Sequence, residues 1–83
     1  MASFNPDLYQ ECLRLLVQAR QQAGLTQQQV ADRVGQRQTF VSKFELSERR
    51  LDPAEFIQVS RAIGVDPYEL LKRAEGRRPD QNF

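Results

Sequence analysis

Apolar residues recur every three or four positions along most of this 83-residue chain, and glycines and Asp-Pro pairs interrupt the pattern at short intervals. A spacing of three and four places side chains on one face of an α-helix, whereas a half-buried strand needs strict alternation. A glycine ends a helix readily because it adopts the left-handed conformation, and an Asp followed by a Pro begins one. The sequence therefore predicts an all-α protein made of short helices.

These signals divide the chain into five helices. Thr26 is a good N-cap for the second helix, and the third begins after Gly35 and a turn of about three residues. The fourth and fifth each begin with an Asp N-cap, a Pro at the first helical position and a Glu at the third. The predicted helices are 7–23, 27–34, 38–46, 53–63 and 67–76.

The two ends of the chain lack this periodicity. The last seven residues are polar and contain Pro79, a composition typical of flexible tails. We therefore expect one domain over residues 7–76, a compact five-helix bundle, between flexible ends at 1–6 and 77–83.

The composition argues against most kinds of catalysis. The chain has no histidine and one cysteine, which excludes the usual zinc sites, histidine-dependent triads and an internal disulfide. We therefore expect no enzyme and no cofactor. No apolar run approaches the roughly 20 residues that cross a bilayer, and residues 1–6 lack the features of a signal peptide. We expect a cytoplasmic protein that does not contact membranes.

Positive charge is concentrated in the middle of the chain, although the net charge is only +1. Residues 14–50 hold seven Arg and Lys against three Asp and Glu, whereas residues 51–83 hold five against six. Such a bias is typical of a local surface that contacts phosphates, and a solvated helix face is the simpler alternative.

Residues 25–45 have the layout of a helix-turn-helix, in which a short helix, a glycine-containing turn and a second helix follow one another. Over most of its length the chain resembles the Cro and phage-repressor type, also called the XRE family. The resemblance implies a lambda-repressor-like five-helix bundle whose third helix enters the DNA major groove. The residues that carry it are Leu13, Ala19-Arg20, Ala23-Gly24-Leu25-Thr26-Gln27, Val41-Ser42-Lys43, Glu45, Gly64-Val65 and Leu70-Leu71.

The third helix offers polar groups that suit base edges. If Val41 and Phe44 point into the core, the polar residues between them point outward. A Gln donates and accepts together at adenine, a Thr offers a hydroxyl and a methyl for thymine, and a Lys binds guanine acceptors or a phosphate. The resemblance implies base contacts by Gln38, Thr39 and Lys43, and an ordinary solvated helix face is the alternative.

Phosphate contacts are expected around this helix. Gln27 lies at the start of the second helix, where backbone N–H groups favour an anion, and the resemblance implies a phosphate contact there. Arg37 stands where the family usually has a Ser or Thr N-cap, which should weaken the helix start by about 1 kcal/mol. Exposed side chains without a ligand are the alternative. The expected phosphate-contacting residues are Gln27, Arg37, Ser42, Arg49 and Arg50.

The segment after Glu45 departs from the family pattern. The family commonly has Asn-Gly there, whereas this chain has Leu46 and Ser47. Without the Gly a left-handed C-cap forms less easily, so we expect the third helix to end differently or to run longer. The phosphate contact that the Asn often makes is lost, and Arg49 and Arg50 are the expected replacements.

The resemblance also implies an internal ion pair between Arg20 on the first helix and Glu45 on the third. A guanidinium can bind a carboxylate through two parallel hydrogen bonds. We therefore interpret both residues as structural, with two simply exposed side chains as the alternative.

Two apolar surfaces compete as a dimer interface. Leu13 and Val17 widen the apolar arc of the first helix to about 200°, more than one packing face requires. Tyr68 and Leu71 offer a second surface on the fifth helix, which the resemblance favours. Burial of all four residues within one subunit is the alternative.

We therefore expect a sequence-specific DNA-binding transcription regulator, a repressor that binds a palindromic operator in double-stranded DNA as a homodimer. The alternative is a protein-interaction module on the same scaffold, such as an antitoxin or an accessory subunit, with a protein partner. The wide apolar arc of the first helix and the near-neutral net charge favour this alternative.

Overall fold

The computed structural model describes residues 4–76, and over this range the chain forms five α-helices joined by short turns. The predicted all-α five-helix bundle is confirmed, and the predicted helix bounds agree within one residue. The predicted tail 77–83 and residues 1–3 lie outside the described residues. The helices are α1 Pro6–Gln22, α2 Gln27–Arg33, α3 Gln38–Glu45, α4 Pro53–Ile63 and α5 Pro67–Gly76.

The start of α1 differs from the sequence prediction. The helix begins at Pro6, and Asn5 is its N-cap, with the Asn5 side-chain oxygen accepting a hydrogen bond of 2.9 Å from the Asp7 N–H. Asn5 and Pro6 therefore belong to the folded domain rather than to a flexible end. The Asn-Pro-Asp sequence is a helix start of the same kind as the Asp-Pro pairs further along the chain.

The other helix starts follow their sequence signals. Thr26 and Gln29 form a reciprocal capping box at α2, with N···O distances of 3.0 and 2.9 Å. Asp52 and Glu55 form another at α4, with distances of 2.7 and 3.0 Å. At α3 the N-cap residue Arg37 makes no side-chain capping bond. The helix that carries the predicted base contacts therefore has the least stabilised start of these three.

Four helices end in one and the same way, although one of them lacks a glycine. The ends of α1, α2 and α4 place a glycine in the left-handed region, and α3 places Ser47 there, with φ of 63°. The Ser47 N–H donates to the Phe44 carbonyl at 3.1 Å, and the Glu48 N–H donates to the Lys43 carbonyl at 2.9 Å. This pair of bonds is a Schellman motif. The third helix therefore ends as its neighbours do, and the expectation of a different or longer end is wrong.

In the core α1 packs against α5 and α2 packs against α3, and α4 contacts α1, α2 and α5. The best buried side chains of the core come from α1, α2, α3 and α4: Leu15, Leu16, Val30, Val41, Phe44 and Val59. Val41 and Phe44 point inward as predicted, which turns the opposite face of α3 toward solvent. Within residues 4–76, no helix is both long and apolar enough to cross a bilayer.

Leu13 belongs to this core. Only 5% of Leu13 is exposed, on a helix that packs against α5 and α4. Leu13 also lines an apolar groove between α1, α4 and α5, so its assignment as a dimer contact stays a prediction. The wide apolar arc of α1 is largely used within one subunit, as the alternative interpretation of that arc required.

Candidate nucleic-acid interface

The outward face of α3 presents the residues that the sequence analysis selected for base contacts. Thr39 and Lys43 are exposed, and Gln38 and Ser42 are partly exposed. Arg37 is exposed immediately before the helix. Because the helix packs through Val41 and Phe44, this polar face is rigidly oriented toward solvent.

Behind this face, four polar side chains from three helices form a continuous chain of hydrogen bonds. Arg20 on α1 donates to both carboxylate oxygens of Glu45, at 2.7 and 3.0 Å, and to the Leu25 carbonyl at 2.8 Å. The Gln27 amide donates to Glu45 at 2.9 Å, and the Gln38 amide donates to the Gln27 oxygen at 2.6 Å. The Arg20 and Glu45 side chains are only 13% and 9% exposed. Burial strengthens every bond in such a chain.

This chain of bonds fixes the orientation of Gln38, the first residue of α3. One N–H of its amide is used by Gln27, so its other N–H and its oxygen are available for a ligand, and the residue is partly exposed. A donor and an acceptor side by side match the edge of an adenine. Gln27 and Gln38 have separate expected roles in the sequence, and their direct contact is not visible there, because residues eleven apart meet only through the packing of α2 on α3.

The loop after α3 places its two arginines differently from each other. Arg49 binds Glu55 on α4 through two hydrogen bonds of 3.0 and 2.7 Å, and its guanidinium carbon lies 4.8 Å from the centroid of the Phe40 ring. The guanidinium carbon of Arg50 lies 4.3 Å from the centroid of the Tyr9 ring. Arg49 therefore braces the loop against α4, and a phosphate contact by Arg49 requires this ion pair to open.

The pKa values of the Arg49–Glu55 pair report the same contact. The hydrogen bonds from Arg49, followed by the one from the Asp52 N–H, lower the pKa of Glu55 from 4.5 to about 2. The same side-chain hydrogen bond raises the pKa of Arg49. Both groups are charged at neutral pH and largely neutralise each other. By contrast, Arg37, Lys43 and Arg50 form no ion pair with any residue of the range 4–76. Arg37 and Lys43 are thus unpaired cations at α3, whereas Arg50 lies against Tyr9 near the start of α1.

One exposed residue at this face was not selected from the sequence. Leu46, the C-cap of α3, is 68% exposed. It lies seven residues after Thr39 and three after Lys43, a spacing that places all three on one side of a helix. The spacing of four and three residues is visible in the sequence and is the signal that could have added Leu46 to the predicted site.

A second surface lies among α1, α4 and α5. It is an apolar groove of about 250 Å³, and Tyr68 and Leu71, which are 60% and 42% exposed, lie along it. Val17 is partly buried and lies on a different part of α1, beside Gln18 and Gln21. Of the four predicted dimer residues, the structure thus places Leu13, Tyr68 and Leu71 along one groove, with Tyr68 and Leu71 exposed. The groove is lined by Tyr9, Cys12, Leu13, Leu51, Asp52, Pro53, Phe56, Ile57, Tyr68 and Leu71.

The short α2, the tight turn at Gly35 and the outward polar face of α3 define a helix-turn-helix protein of the DNA-binding class. The helix-turn-helix family model matches residues 16–70, and a solved structure of an XRE-family like protein from Pseudomonas syringae pv. tomato str. DC3000 is similar to the chain. That structure is 51% identical, with a TM-score of 0.83, and the match covers 87% of this chain and 88% of that chain. No curated protein matches the sequence.

The chain belongs to the XRE family of helix-turn-helix proteins. This is a family of DNA-binding transcription regulators and not of enzymes. The resemblance seen in the sequence is therefore confirmed, and so is the DNA-binding class that it implied.

Proposed function

We propose that this protein is a transcriptional repressor that reads a palindromic operator as a homodimer, with the outward face of α3 in the major groove. The observation that carries the proposal is the hydrogen-bond chain from Arg20 through Glu45 and Gln27 to Gln38. A glutamine that only faced solvent would not need its side chain held by Gln27 and Glu45. Preorganisation of this kind lowers the entropy lost when the side chain meets a base.

Three side chains of α3 supply direct contacts with bases in this proposal. Gln38 accepts from the adenine amino group and donates to N7, using the oxygen and the N–H that Gln27 leaves unoccupied. Thr39 contacts a neighbouring base through its hydroxyl or its methyl group. Lys43, one turn later, donates to the O6 and N7 acceptors of a guanine. Each good contact is worth about 1–3 kcal/mol against the wrong base.

Phosphate contacts position the helix in this proposal. Arg37 precedes α3 in the chain and Arg50 follows it, and neither forms an ion pair within residues 4–76. Gln27 has a second N–H that Glu45 does not use. The Ser42 hydroxyl donates to the Thr39 carbonyl at 3.2 Å and keeps lone pairs and an exposed edge. Arg49 contributes mainly by holding the loop, through Glu55. Such contacts fix the register on the duplex without reading its sequence.

The dimer forms through the groove between α1, α4 and α5 in this proposal. Tyr68 and Leu71 are the exposed apolar side chains along it, and a twofold axis there would pair each with the same patch of a second copy. A twofold dimer presents two recognition helices about 34 Å apart, one turn of the duplex, so the operator is a palindrome. As a bacterial neighbour suggests, the protein would act in the cytoplasm, where the DNA lies.

The groove also supports the second candidate function, a protein-interaction module such as an antitoxin or an accessory subunit. An apolar groove of this size fits an apolar helix face of another protein as well as that of a second copy. Sedimentation of the pure protein separates the two functions. A concentration-dependent dimer supports the repressor, and a monomer up to about 100 µM would favour a different partner.

Selection of bound duplexes from a random pool at about 0.15 M salt tests the main proposal. Enrichment of a site with twofold symmetry and half-sites one turn apart is the expected result. Enrichment of a single asymmetric site would contradict the dimer. If folded protein enriched no sequence at all, base recognition by α3 would be contradicted.

A further inference from the structure

Leu46 stands out among the exposed apolar residues of the described chain. The large exposed apolar side chains are Phe4, Leu46, Tyr68 and Leu71. Tyr68 and Leu71 lie along the groove, and Phe4 lies just before α1. Leu46 alone lies at the end of α3. Leu46 is 68% exposed and follows the outward polar face of α3, so a partner bound at that face can contact it.

The direction of the Leu46 side chain follows from the backbone. At 100° per residue, position 46 is about 20° from position 39 around the helix axis, and position 43 is about 40° away on the other side. The backbone of Leu46 is close to helical, with φ of −86° and ψ of 3°. The chain reverses only at the next residue, where Ser47 adopts the left-handed conformation. Leu46 therefore extends the face of Thr39 and Lys43 by one more position.

We propose that Leu46 contacts the C5-methyl group of a thymine in the operator, at the end of the base sequence that Lys43 reads. The inference rests on the proposed function, since it assumes that this face of α3 enters the major groove. The thymine methyl is the apolar group on the base edges of that groove. A leucine has no donor or acceptor, so it cannot replace the phosphate contact of an asparagine. Its surface matches a methyl group.

The fixed end of α3 supports this assignment. The bonds from Ser47 and Glu48 back to Phe44 and Lys43 hold Leu46 in a single backbone geometry. The backbone at this position therefore loses little further freedom when the side chain meets the base.

Replacement of single thymines by deoxyuridine tests the proposal, because the two bases differ only in the methyl group. The operator selected above is used, with one thymine changed at a time in one half-site. For the wild-type protein, deoxyuridine at one of these positions should weaken binding about fourfold, the value expected for one buried methyl group. For Leu46→Ala, thymine and deoxyuridine at that position should bind equally well.

Two further variants keep the test specific. Leu46→Met retains an apolar side chain and should retain the methyl effect. Thr39→Ser removes the other methyl group of this face and should leave the Leu46 position unchanged. The proposal is overturned if the wild-type protein is insensitive to every thymine methyl. It is also overturned if Leu46→Ala lowers the affinity for both operators by the same factor, so that the fourfold difference between them remains, which would indicate a sugar contact. Absence of any selected operator would instead contradict the proposed function.

Discussion

Replacement of Ser47 by glycine should stabilise the protein. Ser47 has φ of 63°, a conformation that costs an L-residue about 1–2 kcal/mol. Glycine removes this cost but loses about 0.5–1 kcal/mol more entropy on folding. The Ser47 hydroxyl bond to Gln10 is long, at 3.4 Å, and exposed, so its loss matters little. The free energy of unfolding should therefore rise by about 0.5–1 kcal/mol.

Thermal unfolding followed by circular dichroism measures this effect. For a chain of this size the expected gain corresponds to a rise in Tm of about 2–8 °C. Ser47→Ala is the matched control, since it removes the hydroxyl and keeps the strained backbone, and it should stay within about 0.5 kcal/mol of wild type.

The opposite change at an equivalent position is a second control. Gly35 ends α2 with φ of 69°, and a Cβ added there meets no atom within 4 Å. Gly35→Ala should therefore destabilise through conformation alone, by a similar amount. If Ser47→Gly does not melt above Ser47→Ala, strain at the end of α3 is not what limits stability there, and the reasoning is refuted.

Three further perturbations test other parts of the structure. Glu45→Gln strands the Arg20 guanidinium and should lower the free energy of unfolding by about 2–4 kcal/mol in urea denaturation, and a loss below 1 kcal/mol would show that the pair is dispensable. The Arg49 ion pair lowers the pKa of Glu55 to about 2, so its stabilisation is present above pH 4.5 and is lost as the pH falls toward 2. Glu55→Gln should therefore flatten the pH dependence of unfolding in that window, and an unchanged slope would contradict the assignment. Leu71→Arg should weaken self-association at least tenfold in sedimentation experiments while the circular dichroism spectrum stays unchanged, and an undiminished dimer would move the interface elsewhere.

The fold was accessible from the sequence because its signals are local. A helix start such as Asp52-Pro53 and a helix stop such as Gly64 act within one turn, and the apolar spacing sets the buried face. The sequence prediction failed where a residue's local preference is outweighed by its contacts in the fold, as at the end of α3. Ser47 adopts the left-handed conformation because two backbone bonds hold it, although its own preference opposes that.

The candidate site was only partly accessible for the same reason. The outward face of α3 follows from periodicity, but the bond between Gln27 and Gln38 depends on how two helices pack, and no spacing within one helix encodes it. Arg49 and Arg50 are adjacent arginines that the sequence does not distinguish. In the structure Arg49 binds Glu55 on α4, whereas Arg50 lies over the Tyr9 ring. Charge in a sequence indicates that a cation is present and not which partner it has.

Determination of base preference for the Lys43→Ala variant tests the central claim, that α3 reads bases, most directly. The random-pool selection is repeated with this variant and with Lys72→Ala, which removes an exposed lysine of α5 instead. The proposal predicts that Lys43→Ala loses preference for guanine at one position of each half-site, by about 1–3 kcal/mol, while Lys72→Ala keeps the wild-type preferences. If Lys43→Ala selected the same sequences as wild type, with affinity reduced uniformly or not at all, Lys43 would not read a base, and the proposed orientation of α3 in the groove would be contradicted.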